Sequence, residues 1–370
     1  MELTDYRIEK LVVPDRHVSD SAIADLELTD FTYAYVELEA STGERGIGYS
    51  VIDMEQPAAR PVGMLRDAFD TISEELLGNS PFQLVNELTR HRGGQVSYYS
   101  SESYGTGLRR AIDYALWDIC AKHLELPLYR LLGGTDPKVP VYASGLGFAL
   151  GDDEIVELYE RAREWEMNAA KVKVGYSTVE EDIERVRLVS QVFDGDCTLM
   201  VDSNEAWTPK ETVRRMNAYE DAGLDIYWIE DPIFREDVDG IARAAESITT
   251  AHLNAGEYCG FEGKRELLEN GAADVLNIHG LSPAREAAHL AHAYSVPVAT
   301  GTDHAGDASA VQLGAALPEV VFAEFTMQRF FDLAEEPPFE IENGYAIAPE
   351  RPGHGVTLSE STIDEFKESG

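Results

Sequence analysis

Asp202, Glu230 and Glu257 each stand at or just past the end of a short apolar run, 28 residues from the first to the second and 27 on to the third. Gathered in one dry pocket, three acids would repel one another and hold protons unless a cation joined them. An oxygen-only set, with no Cys or His at ligand spacing, suits Mg²⁺ and suits zinc poorly. The run "AAKVKVG" adds Lys171 and Lys173, two residues apart and so on one face of a strand, with Val172 and Val174 on the other. A lysine beside a bound cation has its pKa pushed down, and the neutral amine can then accept a proton.

Such residues need a scaffold that brings distant strand ends together. From "VPVYASG" onward, eight strand candidates alternate with amphipathic stretches: "VPVYASG", "AAKVKVG", "CTLMVDSN", "DIYWIEDP", "AHLNAGEY", "DVLNIHG", "VPVATG" and "VVFAEFT". This is the pattern of a parallel (β/α) barrel, which places its chemistry at the C-terminal ends of its strands. The second end then carries Lys171 and Lys173, the third Asp202 and Asn204, and the fourth Glu230 and Asp231. The fifth carries Glu257, the sixth His279, the seventh Asp303 and His304, and the eighth Glu324.

Ahead of this pattern lie strand-like runs such as "DYRIEKLVV", "FTYAYVELEA" and "GIGYSVI", then two helical stretches. In the second, Leu108, Ala111, Ile112, Ala115, Leu116 and Ile119 recur at helical spacing and predict one buried face, with Gly133 and Gly134 closing the segment. Strands followed by helices predict an α+β domain over residues 1–130, with the barrel over 131–327 and a tail, 328–370, returning to the first domain.

The chain has 370 residues, 30 Lys plus Arg against 68 Asp plus Glu, and a formal net charge of −38. Nucleic acid is excluded as a partner, because phosphate neutralisation needs basic patches. The acids are dispersed and 44% of residues are hydrophobic, which describes a folded chain with a heavily charged surface. One reading is a halophilic-type surface, since a salt-rich cytoplasm screens such self-repulsion within a few Å; the alternative is an ordinary acidic cytosolic protein. The thermal midpoint is therefore expected to rise between about 0.1 M and 1 M KCl, where the screening length drops from ~10 to ~3 Å; a midpoint that stays level or falls in circular-dichroism melts would refute this. Cys120, Cys197 and Cys259 are far apart and form no CxxC, so neither a disulfide framework nor a zinc knuckle is expected. With no basic, apolar leader and no run of membrane-spanning length, a soluble cytoplasmic protein with no membrane partner is expected.

The segments "AIDYALWDICAKHLELPLYRLLGG", "AAKVKVG", "VDSNEAW", "WIEDP", "NAGEY" and "RPGHGV" together resemble the enolase superfamily, in its mandelate racemase and muconate-lactonizing branch. The resemblance spans nearly the whole chain. It implies an α/β fold: a modified (β/α)7β TIM-like barrel under an α+β capping domain that the C-terminal segment completes. It implies Mg²⁺ held by Asp202, Glu230 and Glu257, abstraction of a proton α to a carboxylate of a small-molecule substrate, and a homo-oligomer between dimer and octamer. The proton is very weakly acidic, and a divalent cation stabilises the enediolate charge formed on its removal. By the family pattern Lys173 is the base and Lys171 its electrostatic neighbour. Glu324 matches a position that binds the substrate carboxylate or donates to the enediolate, with a buried capping acid as the alternative.

The chain departs from the family on the opposite side of the substrate. His279 stands where racemase-like relatives have an Asp and muconate-lactonizing relatives a Lys. His304, flanked by Asp303 and Asp307, comes about three residues later than the racemase-like His. Either histidine could be the second acid/base. Substrate discrimination is expected from Asn204 and from the first-domain loops carrying Arg16, His17, Tyr98 and Tyr99. The expected reaction is dehydration of a sugar acid to a 2-keto-3-deoxy acid. The alternatives are a racemase, epimerase or cycloisomerase using the same enediolate, or an impaired relative that only binds metal and ligand.

Overall fold

A computed structural model describes residues 1–14, 30–53, 76–87, 104–145, 150–301, 307–327, 333 and 338–368. Strands β1 (Leu3–Pro14), β2 (Asp30–Ala40) and β3 (Arg45–Asp53) form an antiparallel sheet in that order, with β1 and β2 in register from Asp5↔Glu39 to Pro14↔Asp30 after a shift between Leu3 and Asp5. The short helix α1 (Pro81–Glu87) and the long helix α2 (Tyr104–His123) follow. All six residues of the expected apolar stripe on α2 are fully buried. The stripe meets β3 at Gly48, where a Cβ would sit 1.9 Å from the Ala111 carbonyl oxygen, so only glycine allows this approach. The helical segment expected to run on to Gly133 is instead broken. Glu125 adopts φ 54, Pro127 lacks an amide hydrogen, and a single turn, α3 (Leu128–Leu131), follows.

All eight expected barrel strands are present: β4 (Lys138–Ser144), β5 (Ala169–Lys173), β6 (Thr198–Asp202), β7 (Ile226–Glu230), β8 (His252–Ala255), β9 (Val275–Ile278), β10 (Val298–Thr300) and β11 (Val320–Thr326). Each pairs in parallel with the next, and β11 pairs with β4 to close the barrel. Among the described residues, seven helices separate them: α4 (Asp152–Glu164), α5 (Val179–Val192), α6 (Pro209–Asp221), α7 (Val238–Ser247), α8 (Phe261–Glu269), α9 (Ser282–Ala293) and α10 (Asp307–Ala316). Their starts carry local signals: Thr178 and Thr208 accept the amide hydrogens of Glu181 and Glu211, and Pro209 opens α6. No helix among the described residues is long and apolar enough to cross a membrane.

The barrel interior is filled in layers by side chains of alternate parity. A lower layer of Tyr142, Ala169, Met200, Trp228, Val275 and Ala299 is apolar, with the Tyr142 and Trp228 rings edge to face at 5.4 Å. This plug forms a dry floor under the polar strand ends.

After β11 the hairpin β12 (Glu340–Glu342) and β13 (Tyr345–Ile347) pairs antiparallel onto β4. The chain then returns to the first sheet, where α11 (Glu360–Phe366) lies near β1 and buried Lys10 pairs with Glu368 at 2.8 Å. The "RPGHGV" segment is stapled to α2. The buried Asp118 carboxylate accepts the amide hydrogens of Ile47 and His354 and pairs with Lys122 at 2.6 Å. His354 Nε2 lies 2.7 Å from the Ile47 carbonyl oxygen and its Nδ1 accepts from Val356 N, so the ring is neutral with its proton on Nε2.

Candidate active site

Strand register is what assembles the polar layer. Lys173 is opposite Asp202, Asp202 opposite Glu230, and Glu230 opposite Asn254, on four successive strands. Neighbouring strands are about 4.8 Å apart, so side chains at matched positions meet around the barrel wall.

Lys171 and Lys173 are both buried. Lys171 Nζ lies 2.7 Å from Glu230, 2.9 Å from Glu324 and 3.4 Å from Asp202, and 5.4 Å from the Tyr142 ring centroid below it. Burial opposes its charge, but Glu230, Glu324 and Asp202 outweigh that and hold the ammonium well above the usual lysine value. Lys173 lies one step nearer the rim. It donates to Asp202 and, at 2.7 Å, to Asn204 Oδ1. Its pKa is also raised: burial lowers it and the Lys171 charge adds to that, but Asp202 prevails.

The acids divide into two kinds. Asp202, despite burial, is held below the usual carboxylate range by Lys173 and Lys171, and so is Glu324, chiefly by Lys171. Burial pushes Glu230 well above that range, with Asp202, Glu324 and Glu257 adding to it against Lys171. Burial likewise pushes Glu257 up to about 7, with Asp202 and Glu324 adding to the pull against the two lysines. Among the described residues, four carboxylates face two ammonium groups, and Glu230 and Glu257 bear the excess of negative charge. One oxygen from each of Asp202, Glu230 and Glu257 lies within 4.8 Å of the others. All-oxygen donors, negative excess and this spacing fit a hard divalent cation such as Mg²⁺.

Glu257 lies beyond β8, and a turn brings it to the others. Gly256 takes φ +119, and the Gly256 and Glu257 amide hydrogens both go to the Asp231 carboxylate, at 2.9 and 3.1 Å. Asp231 itself has φ 34, and Asn204 and Glu205 have φ 42 and 63. Left-handed backbone at three non-glycine residues beside one site is stored strain of the kind found at functional centres.

Other predicted residues fall into place unevenly. Asn204, expected to touch substrate, bridges Lys173 to the Tyr258 hydroxyl, donating to it at 2.6 Å. His279 is half-buried, directly after β9, and shares the parity of Asn277. Asp303, His304, Arg16, His17, Tyr98 and Tyr99 lie outside the described residues. Sequence reasoning missed Asn254 and Asn277, whose amides donate to Glu230 at 3.4 and 3.2 Å and orient it. Their signal was present: an amide at inward parity in an otherwise apolar strand, in "AHLNAG" and "DVLNIHG".

Comparison with known proteins agrees with this architecture. The chain matches the enolase C-terminal domain-like family over residues 154–362, and the N-terminal domain of mandelate racemase / muconate lactonizing enzyme over 8–133. It is 30% identical to 3,6-anhydro-alpha-L-galactonate cycloisomerase of Streptomyces coelicolor, over 90% of each chain. It is 25% identical to arabinonate dehydratase of Saccharolobus solfataricus, over 99% of each. The crystal structure of L-talarate dehydratase from a Polaromonas species, complexed with Mg and L-glucarate, superimposes with a TM-score of 0.85 at 26% identity, covering 99% of this chain and 98% of that one. The relatives thus include sugar-acid dehydratases, cycloisomerases and epimerases. The chain belongs to the enolase superfamily, in its mandelate racemase and muconate lactonizing enzyme branch.

Proposed function

We propose that this enzyme uses Lys173 to remove a proton α to the carboxylate of a sugar acid, and that it eliminates the β-hydroxyl as water to leave a 2-keto-3-deoxy acid. The observation that carries this reading is the registered row of Lys173, Asp202 and Glu230, with Glu257 turned in beside it. Asp202, Glu230 and Glu257 would hold Mg²⁺, oriented by Asn254, Asn277 and the Asp231 turn. Mg²⁺ bound there supplies positive charge to the substrate oxygens as negative charge develops, and favours the neutral amine at Lys173. Lys171, locked between Glu230 and Glu324, is too well paired to act as a base and serves as a fixed positive charge under the substrate. The aromatic floor excludes water from below, and Asn204 aims the Lys173 amine.

His279, which follows β9, would protonate the departing β-hydroxyl from the side opposite Lys173, since β9 lies across the barrel from β5, with His304 as the alternative acid. Relatives named as arabinonate dehydratase and L-talarate/galactarate dehydratase support the elimination. A second reading, cycloisomerisation of a sugar acid, is favoured by the 30% identity to a cycloisomerase over 90% of the chain.

Incubating the protein and Mg²⁺ with a library of aldonic and aldaric acids in D₂O separates these readings. New 2-keto acid supports elimination; ring opening or closure without it supports cycloisomerisation. Deuterium at the α carbon with neither indicates a racemase or epimerase. Binding of acids without any turnover would leave only a ligand-binding relative and would overturn the proposal. In the His279→Asn variant, 2-keto acid formation is expected to fall on the order of 100-fold or more, while α-proton exchange through Lys173 continues. Undiminished product would remove His279 from the mechanism.

A further inference from the structure

A further buried lysine lies outside the reaction just described. Lys264 of α8 is 6% exposed, and its ammonium donates to the carbonyl oxygens of Gly256 and, at 2.7 Å, Asn277. Gly256 immediately precedes Glu257, and Asn277 stands two residues before His279. One side chain therefore joins the turn carrying the third carboxylate of the cation site to the end of β9.

The turn has little freedom. A Cβ at Gly256 would lie 3.2 Å from the Asn277 carbonyl oxygen, 3.3 Å from Leu276 and 3.4 Å from Lys264 Nζ. The Gly256–Glu257 segment is gripped from two sides: Asp231 takes both amide hydrogens and Lys264 takes the Gly256 carbonyl. Burial pushes the Lys264 pKa down to about 8, so the position disfavours the charged form. A buried amine committed to two backbone carbonyls, one on the Glu257 turn and one on β9, ties those two segments together.

We propose that Lys264 is a positioning residue that, with Asp231, fixes the Gly256–Glu257 peptide and thereby sets where the Glu257 carboxylate meets the cation and how far it stands from the end of β9. This rests on the reading of Glu257 as a ligand of the metal.

The test is the Mg²⁺ dissociation constant of the folded full-length chain, by isothermal titration calorimetry, for wild type, Lys264→Met, Asp231→Asn and the double variant. Each single change is expected to weaken Mg²⁺ binding about 10- to 100-fold, with far-UV circular dichroism unchanged. Because both residues hold one peptide, the double variant should lose less than the product of the two single losses. A merely structural lysine would lower the melting temperature and leave the affinity of the folded protein unchanged, which would overturn the proposal, as would independent, multiplying losses. Should Lys264→Met not fold, Asp231→Asn carries the test alone: wild-type affinity in that folded variant refutes the grip. Wild-type protein that binds no Mg²⁺ would overturn the metal reading itself, a result distinct from variants that bind as tightly as wild type.

Discussion

Replacing Lys173 with methionine is expected to slow α-proton exchange by on the order of 1,000-fold or more, while Mg²⁺ affinity stays within a few-fold of wild type. The size follows from what is removed. Asn204 and Asp202 hold the Lys173 amine at the rim, and no other described amine shares that position, because Lys171 is engaged by Glu230 and Glu324. Loss of a positioned base raises the barrier to proton exchange by about 4 kcal/mol, at roughly 1.36 kcal/mol per tenfold. Metal affinity is spared because Lys173 is a competing cation for Asp202, and its loss removes competition as well as a partner. Methionine fills most of the vacated volume, and Asp202 keeps the Asn204 amide hydrogen and Lys171. Deuterium incorporation followed by NMR, alongside calorimetric Mg²⁺ titration, reads both halves. Exchange at the wild-type rate would remove Lys173 as the base.

Glu230→Gln is expected to do the reverse at the first step, weakening Mg²⁺ on the order of 100-fold or more, beyond the 10- to 100-fold typical of changes behind a metal ligand. Glu230 is fully buried and contacts Lys171, Asn254 and Asn277. Glutamine keeps its shape but not its charge, so the cation loses a charged donor in a dry pocket where that charge acts most strongly. Removing a carboxyl that burial already pushes toward its protonated form should leave the fold intact. Unchanged Mg²⁺ affinity in this variant would argue against the metal assignment.

The same site predicts a pH dependence in the wild type. The Glu257 carboxyl is pushed up to about 7, so below that pH it holds a proton that the cation must displace. Mg²⁺ affinity should therefore rise as pH increases through about 7, with proton release on binding at lower pH, and Glu230, also pushed above the usual carboxylate range, adds to the rise. A flat profile from pH 6 to 8 would argue against displacement of a proton from Glu257 by the cation.

Much of this site is legible in the amino-acid sequence, because the signals are local. Two-residue parity put Lys171 and Lys173 on one face, and the strand-helix period put Asp202, Glu230 and Glu257 at consecutive strand ends. The break after His123 was less visible, since "HLELPLYRLLGG" keeps apolar residues at helical spacing across Pro127. Asn254 and Asn277 escaped notice because an asparagine in an apolar strand has no stated purpose until the carboxylate it faces is known.

By itself, the amino-acid sequence determined the fold class, the family, the three carboxylates and the paired lysines, all of which are written in periodicity and residue type. Only the tertiary structure decided the register that sets Lys173 against Asp202 and Asp202 against Glu230, and the Asp231 and Lys264 contacts that turn Glu257 inward. It also decided which lysine is locked and which stands at the rim. Register, burial and mutual charge depend on contacts between residues tens of positions apart, and these have no local trace in the chain.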